Sequence, residues 1–450
     1  MNRKVRIPQA LRNFAAGSLF SLISGIAMYI SRIVCLKYMR VDFVGYTSLF
    51  EHVFLLASVL DSGVATSLTS FMARALVGDD ERKKNGVLRE ARSVYLVVSA
   101  LMLTLLFSIS LFYLGRKGLF LPSLFYFIGQ CAQYYLGWRV LALNASGRND
   151  IVSRYVHMGR TVGSVAEIVV ISLTRNFTLY VAVSMVSVVL SYVLLFYKAG
   201  RVYPWMNEKE GVVDKKEEKY LISIIPSMFS HRFGSLFFRC YEIIAVNLIF
   251  GFSIGGRYSN MLFISTAFMT VFWIFQSSVT GIVGEHYVEE GRKGSFILYR
   301  KMAYLNLLFS FLAALIFLFL GKKIGEISFG SDNILQGAIP LFLALEMFLN
   351  SSRTTSIILR DAMGDYHRDW WKPILEAVSV IILTLILSPK FSFYSIPLSI
   401  SFILLFVSIP VDNAIVIRRL KGRVNFSFLP ICVSTLCLAV ILLFVGHSFI

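Results

Sequence analysis

Four arginines stand inside long apolar stretches of the sequence: Arg32, Arg232, Arg239 and Arg353. They outnumber the acidic residues of the same stretches. A guanidinium group presents a planar fork of donors that fits two oxygens of a phosphate at once. Together with His231, which precedes Arg232, these arginines predict a cationic cavity that binds an anionic headgroup.

A structural role for the same charges stays open. Arg239 and Glu242 are three residues apart on a predicted helix and could form an ion pair, and nearby hydroxyls could serve helix packing. A charge at the centre of a span costs roughly 2.5–3.5 kcal/mol, so Arg232, Arg239 and Glu242 together cost on the order of 7–10 kcal/mol. In both interpretations these side chains should face protein or water.

A second polar feature is the segment SVLDSGVATSLTS, residues 58–70, which lies within an apolar run. Its polar side chains recur with helical spacing, and the same face continues back to Glu51. Such a helix should turn its apolar side to lipid and its polar side to protein or water. The residues predicted to line or gate the cavity, in contact with a sugar or a coupling ion, are Glu51, Asp61, Ser62, Thr66 and Glu242.

Several kinds of site have no signature in this sequence. It contains neither GxxxxGK[ST] nor GxSxG, the patterns of an ATP site and of a hydrolase nucleophile. Its five cysteines are scattered without a CxxC pair, and His52 and His231 have no ligand cluster around them. We therefore expect no metal, no cofactor and no enzymatic activity. A membrane-embedded polysaccharide polymerase stays a less favoured alternative, because the expected outer loops are short.

The composition indicates that the surrounding solvent is lipid. The chain has 450 residues, of which 56% are hydrophobic and 16% charged. Its apolar runs are about 18–25 residues long and predict an all-α polytopic membrane protein with about 12–14 transmembrane helices. We expect spans near 13–36, 43–72, 94–115, 119–142, 155–174, 177–197, 221–250, 257–284, 303–321, 333–359, 373–388, 393–416 and 426–448.

The net charge of +18 orients the chain and does not indicate a nucleic-acid partner. With the N-terminus in the cytoplasm, most Lys and Arg residues fall into inner segments, as the positive-inside rule requires. The basic N-terminus leads into a full-length span and reads as an uncleaved first helix.

The hydrophilic stretch before the seventh span predicts two related halves. Tyr46 and Tyr258 begin corresponding spans, and Gly147 and Gly364 lie in corresponding inner loops. This pattern is typical of a pseudo-two-fold repeat with a central cavity at the repeat interface. The expected parts are an N-terminal six-helix lobe (1–198), a cytoplasmic linker (199–220), a C-terminal six-helix lobe (221–416) and an extra C-terminal helix (417–450).

One long run resembles the opening of bacterial polysaccharide flippases of the Wzx type, members of the multidrug/oligosaccharidyl-lipid/polysaccharide (MOP) flippase superfamily. This run is VDFVGYTSLFEHVFLLASVLDSGVATSLTSFMARALVGDDERKKNGVLREARSVY. The resemblance rests on Gly45-Tyr46, on D-S-G-V-A at 61–65, on the basic loop and third span that follow, and on A-x-G-R-N at 145–149. In plan it covers nearly the whole chain.

The resemblance implies a translocase in the bacterial cytoplasmic membrane. Such proteins move an undecaprenyl-pyrophosphate-linked oligosaccharide to the outer leaflet by alternating access, and cationic cavity residues are important in the family. The implied partners are this substrate, membrane lipids, a polysaccharide polymerase and glycosyltransferases. A multidrug or cation antiporter of the same superfamily is the main alternative, although such a pump should carry an excess of intramembrane carboxylates.

Overall fold

The computed structural model of the protein describes residues 3–61, 64–77, 80–207, 233–234, 236–363, 371–421 and 429–447. Every regular element within these ranges is helical. Eight helical segments there are long and apolar enough to cross a membrane, and one of them, Lys372–Leu420, covers two of the predicted spans. The prediction of an all-α polytopic membrane protein is confirmed.

The helices follow the predicted spans closely along the chain. In the first half they are α1 (Arg3–Tyr38), α2 (Val41–Ala57), α3 (Val64–Val77), α4 (Glu81–Ile109), α5 (Phe120–Tyr135), α6 (Val140–Ala145), α7 (Asn149–Thr174) and α8 (Phe177–Val202). In the second half they are α9 (236–250), α10 (Phe252–Phe329), α11 (Ile339–Ser352), α12 (Thr354–Met363), α13 (Lys372–Phe391), α14 (Ser395–Ile403), α15 (Ile409–Lys421) and α16 (Leu429–His447).

The second predicted span is not one continuous helix. Helix α2 ends at Ala57 and passes into a 3₁₀ turn, Ser58–Asp61, before α3 begins. Ser58 Oγ donates to the carbonyl of Leu55 across 2.6 Å, the kind of local bond that lets serine compete with regular helix. The expectation of a single polar face running from Glu51 through residues 58–70 was therefore wrong.

Helix α10 contains two of the predicted spans and a break between them. Gly291 has φ 64° and ψ −162°, a conformation outside the helical region that glycine adopts without a Cβ penalty. The break lies in the charged segment between predicted spans 257–284 and 303–321. Two membrane helices are thus joined there with almost no intervening loop.

By their internal contacts, the residues group into two compact units. The first unit comprises Met1–Phe43 and Phe50–Leu236, and the second comprises Val44–Leu49 and Phe237–Ile450. The predicted linker is described only as far as residue 207. Contacts therefore divide the chain after Leu236 and assign α16 to the second unit.

In the first unit, α7 and α8 approach closely through small residues. A Cβ at Gly159 would meet Ser191 Oγ at 1.5 Å, and one at Gly163 would meet Ser187 Cβ at 2.9 Å. Small residues at such spacing let helix backbones pack together in lipid, where helices are not driven together by water. This packing fixes the face that α7 turns toward α8.

In the second unit, the segment Val44–Leu49 packs against the start of α10. Ser48 Oγ and Ser259 Oγ are 2.5 Å apart, and the rings of Tyr46 and Phe252 are in edge contact. A Cβ at Gly45 would lie 2.3 Å from the carbonyl oxygen of Phe252. Only glycine permits this approach.

Candidate functional site

Helices α1 and α7 of the first unit face each other through buried polar side chains. Ser24 Oγ lies 3.0 Å from His157 Nδ1, and Ser31 Oγ donates to Glu167 Oε2 across 2.8 Å. The serines are 3% and 1% exposed and lie two turns apart on one face of α1. Polar contacts therefore fix the register of this helix pair.

Glu167 is the centre of a hydrogen-bonded group. Besides Ser31, the side chains of Tyr180 and Ser184 on α8 hydrogen-bond to its carboxyl group. Ser31 Oγ also lies 3.2 Å from the Tyr180 hydroxyl. These bonds offset the cost of placing a carboxyl group in the interior of a membrane protein.

Two predicted site residues, Arg32 and Glu51, join the same neighbourhood. Arg32 follows Ser31 on α1 and interacts electrostatically with Glu51 on α2 and with Tyr180. Tyr126 on α5 lies near Glu51, Arg160 and Glu167, and so links the two groups. We call this set the first polar cluster; it comprises Ser31, Arg32, Glu51, Tyr126, Arg160, Glu167 and Tyr180.

Arg160 is a member that the sequence prediction missed. The predicted fifth span began at residue 155, which placed Arg160 near the inner surface. Helix α7 begins earlier, at Asn149, so Arg160 is its twelfth residue of 26 and lies near the middle of the span. Among the described residues, no carboxylate lies within ion-pairing distance of its guanidinium group. The recurrence of His157, Arg160, Ser164 and Glu167 at steps of three and four could have identified it.

A carboxyl pair lies within the second unit. Tyr258 on α10 donates its hydroxyl hydrogen to Glu242 Oε1 on α9, and the buried carboxyl group of Glu346 on α11 lies beside that of Glu242. Two buried carboxyl groups side by side cannot both stay ionised without a compensating charge. The pair, Glu242 and Glu346, can therefore hold a proton, or a cation in its place. Glu242 was predicted as a cavity residue, whereas Glu346 and Tyr258 were not among the predicted site residues.

A buried ion network in the second unit contains Arg353. Its Nε lies 2.8 Å from Asp412 Oδ2, and Lys372 Nζ is ion-paired with Asp412 Oδ1. Lys372 also lies 3.4 Å from Glu376, and Arg360 lies 3.8 Å from Asp412. Lys372 and Asp412 are almost completely buried.

This network corrects the prediction that Arg353 lacks an acidic partner. Carboxylates were sought within the same span, whereas Asp412 is 59 residues away on α15. The ion pair is largely shielded from solvent, because the side chain of Arg353 is 11% exposed and that of Asp412 is 3% exposed. Arg353 therefore neutralises a buried carboxylate.

The remaining predicted residues do not join these groups in the described part of the chain. Arg239 is exposed on α9. Asp61 ends the 3₁₀ turn and lies near the phenols of Tyr95 and Tyr134. His231, Arg232 and Ser62 lie outside the described residues, as does the side chain of Thr66.

Comparison by sequence finds no family model and no curated protein that matches the chain. Comparison by structure finds transporters. A multidrug resistance MATE family transporter of the MOP superfamily, in an inward-facing conformation, is 12% identical with a TM-score of 0.67, covering 92% of this chain and 98% of that one. The multidrug transporter DinF-BH in complex with R6G is 13% identical with a TM-score of 0.58, covering 90% of this chain and 96% of that one.

A MOP superfamily transporter from Pyrococcus furiosus is also similar, at 11% identity and a TM-score of 0.54, covering 98% of this chain and 93% of that one. Its description states that a reversed polarity of its binding pocket suggests a different function. These matches cover nearly all of both chains. The chain has the fold of MATE family transporters of the MOP superfamily.

Proposed function

We propose that the protein translocates an undecaprenyl-pyrophosphate-linked oligosaccharide across the bacterial cytoplasmic membrane by alternating access, for the export of a surface polysaccharide. The observation that carries this proposal is the position of Arg160. Arg160 is the twelfth of the 26 residues of a membrane-spanning helix, its side chain is exposed, and no described carboxylate lies within ion-pairing distance of it. A charge at that depth is tolerated where it faces water or a ligand of opposite charge. An anionic substrate supplies the opposite charge.

The rest of the first polar cluster supports an anionic, hydroxyl-rich substrate. Arg32 provides a second guanidinium, and Tyr126 and Tyr180 provide phenolic hydroxyls in the same group of helices. A guanidinium binds phosphate or carboxylate oxygens with two parallel hydrogen bonds. Phenols and hydroxyls both donate and accept, as recognition of a sugar requires.

The carboxyl pair supports coupling of this transport to an ion gradient. Glu242 and Glu346 can exchange a shared proton for a monovalent cation without changing the net charge of the pair. Tyr258 holds one oxygen of Glu242 in place. A gradient of protons or sodium ions would then supply the free energy for moving the lipid.

A multidrug or cation antiporter is the second candidate, and the same carboxyl pair favours it. The negative charge of Glu242 and Glu346 would attract a cationic drug as it would a coupling ion. Two of the similar structures are multidrug transporters, one of them in complex with R6G. The two candidates differ in the charge of the substrate.

Reconstitution in proteoliposomes separates the two candidates. One set of vesicles receives a fluorescent undecaprenyl-pyrophosphate-linked oligosaccharide in the inner leaflet, and its arrival outside is measured with a non-permeant glycosidase. A second set is loaded with the cation R6G, and its efflux is measured. Translocation of the glycolipid without dye efflux supports the flippase. Dye efflux without glycolipid movement overturns it in favour of the antiporter.

A further inference from the structure

The first unit holds two arginines against one tryptophan ring. Trp138 lies in the short 3₁₀ turn Gly137–Arg139, between α5 and α6. The guanidinium carbon of Arg92 on α4 lies 5.5 Å from the centroid of the indole ring, and that of Arg139 lies 5.2 Å from it. Arg139 also lies 4.2 Å from the ring centroid of Phe196 on α8, and that ring meets Trp138 edge-on. The turn and two helices thus bring two positive charges together.

The charges of the two arginines oppose each other. Arg92 is close enough to Arg139 for its positive charge to act on that group. Among the described residues, no carboxylate lies within ion-pairing distance of Arg92. Stacking on an aromatic face stabilises a guanidinium and leaves the N–H donors at its edge available to an anion. An anion between the two groups would replace their repulsion by attraction.

The pair lies at the predicted cytoplasmic boundary of the membrane. Arg92 stands two residues before the predicted span 94–115, and Tyr197, beside Phe196, ends the predicted span 177–197. Tryptophan and tyrosine are enriched at the depth of the lipid headgroups. Further basic residues lie at the same end of α4 and α8, as the positive-inside rule requires of the cytoplasmic side: Arg82, Lys83, Lys84, Arg89, Lys198 and Arg201.

An exposed apolar surface runs from this pair toward the interior of the membrane. On α8, Tyr197, Leu194, Leu190 and Val186 follow one another at steps of three and four residues and are 48–64% exposed. Val97, one turn beyond Arg92 on α4, is 59% exposed. Helices turn such faces to the acyl chains of the bilayer. A ligand with both a phosphate and acyl chains therefore fits this surface better than a free anion does.

The charge of the pair selects among phospholipids. A zwitterionic lipid carries an ammonium group beside its phosphate, and two guanidinium groups would repel that ammonium. An anionic phospholipid has no such cation. Basic pockets between transmembrane helices on the cytoplasmic side typically bind anionic headgroups.

We infer that Arg92, Arg139 and Trp138 form a binding site for the phosphate of an anionic phospholipid of the cytoplasmic leaflet. The acyl chains of this lipid lie along the exposed faces of α4 and α8. The inference goes beyond the proposed function and does not depend on it, because the lipid is a partner of the first unit and not the transported substrate.

Tryptophan fluorescence of the purified full-length protein tests the site. The protein is reconstituted into phosphatidylcholine vesicles that contain a rising fraction of phosphatidylglycerol with brominated acyl chains, which quench a neighbouring indole. The signal of the matching Trp138→Phe protein is subtracted, so that the difference reports on Trp138. We expect phosphatidylglycerol to bind there about tenfold more tightly than brominated phosphatidylcholine, because each arginine near an anionic headgroup adds to its affinity.

The double variant R92Q/R139Q should lose this preference, and R92K/R139K should keep most of it. R92Q alone, at an exposed position, should reduce the preference about threefold. The control R89Q/R201Q removes the same charge from exposed positions at the same end of α4 and α8 and should bind as the wild type does.

Three results would overturn the site. Equal affinity of the wild type for the two lipids would show that Arg92 and Arg139 do not select an anionic headgroup. An equal loss of preference in R89Q/R201Q would show that net charge alone attracts the lipid. Displacement of the brominated phosphatidylglycerol by inorganic phosphate would show that the occupant is a free anion.

Discussion

Tyr258 donates its phenolic hydrogen to Glu242 from the adjacent helix, and the two side chains are 0% and 3% exposed. The phenol fixes the carboxyl group of Glu242 against that of Glu346. A second buried carboxyl group beside the first is stable only with a shared proton or a bound cation. This contact therefore connects the packing of α9, α10 and α11 with the uptake and release of an ion.

The substitution Glu346→Gln should uncouple transport from the ion gradient. A glutamine amide can replace the protonated carboxyl as a donor to Glu242, so the fold should be retained while proton exchange is lost. Translocation in proteoliposomes should no longer respond to an imposed proton or sodium gradient. Glu289→Gln is the control, because Glu289 is exposed elsewhere on α10. An unchanged gradient response in Glu346→Gln would contradict a coupling role.

The substitution Ser31→Ala should destabilise the first unit. It removes a hydrogen bond to the buried Glu167 carboxyl, and bonds to charged groups contribute about 1.5–3 kcal/mol. The thermal unfolding midpoint of the purified protein should fall. Ser21→Ala, at an exposed position on the same helix, should have little effect. If both variants unfold at the same temperature, the Ser31–Glu167 contact does not stabilise the unit.

The buried ion network predicts that substitutions at Asp412 and at Arg360 lower the stability of the protein by unequal amounts. Asp412→Ala leaves Arg353 and Lys372 without their shared carboxylate, and breaking a buried pair costs about 3–5 kcal/mol. Arg360→Ala removes a contact with Asp412 at 3.8 Å, a longer one than that of Arg353, and should cost less than Asp412→Ala. The yield of folded protein and its unfolding temperature measure the loss of stability in each variant. Equal behaviour of the two variants would show that Asp412 does not hold the network together.

Properties that depend on neighbouring residues could be predicted from the sequence. Apolar runs of membrane length gave the fold class, because lipid permits only helices or closed barrels. Arg32 and Glu51 were recognised as polar residues in apolar runs, and the structure places them in one cluster. Glu242 was recognised in the same way.

Properties that depend on partners distant in sequence could not be predicted. The residues around Arg353 in the sequence do not indicate that Asp412 is its partner, and those around Glu242 do not indicate Glu346. Tertiary packing alone brings these pairs together. Arg160 was missed for a different reason. Hydropathy placed the start of its span within the amphipathic first turns of α7, so that a residue near the middle of the helix was counted as a surface charge.

The close approach at Gly45 gives a prediction for the second unit. An added methyl group in Gly45→Ala would lie 2.3 Å from a backbone oxygen of Phe252, which cannot rotate away. The helices must separate, and the bond between Ser48 and Ser259 should weaken. Gly25→Ala is the control, since its Cβ would meet nothing within 4 Å.

Thermal unfolding of both glycine variants measures the effect. Gly45→Ala should unfold at a lower temperature than the wild type. Gly25→Ala should gain up to about 1 kcal/mol from helix propensity. Stability of Gly45→Ala equal to that of Gly25→Ala would contradict the tight packing of α2 against α10.

The most direct test of the central claim is the rate at which Arg160→Gln moves a fluorescent undecaprenyl-pyrophosphate-linked oligosaccharide across the membrane of proteoliposomes. The control is Arg154→Gln, because Arg154 lies on the same helix over the ring of Phe20. If the guanidinium of Arg160 binds the anionic substrate, Arg160→Gln should be slower by about tenfold or more, the loss of one charge-assisted hydrogen bond. Arg154→Gln should match the wild type. Wild-type translocation by correctly folded Arg160→Gln protein would contradict the account.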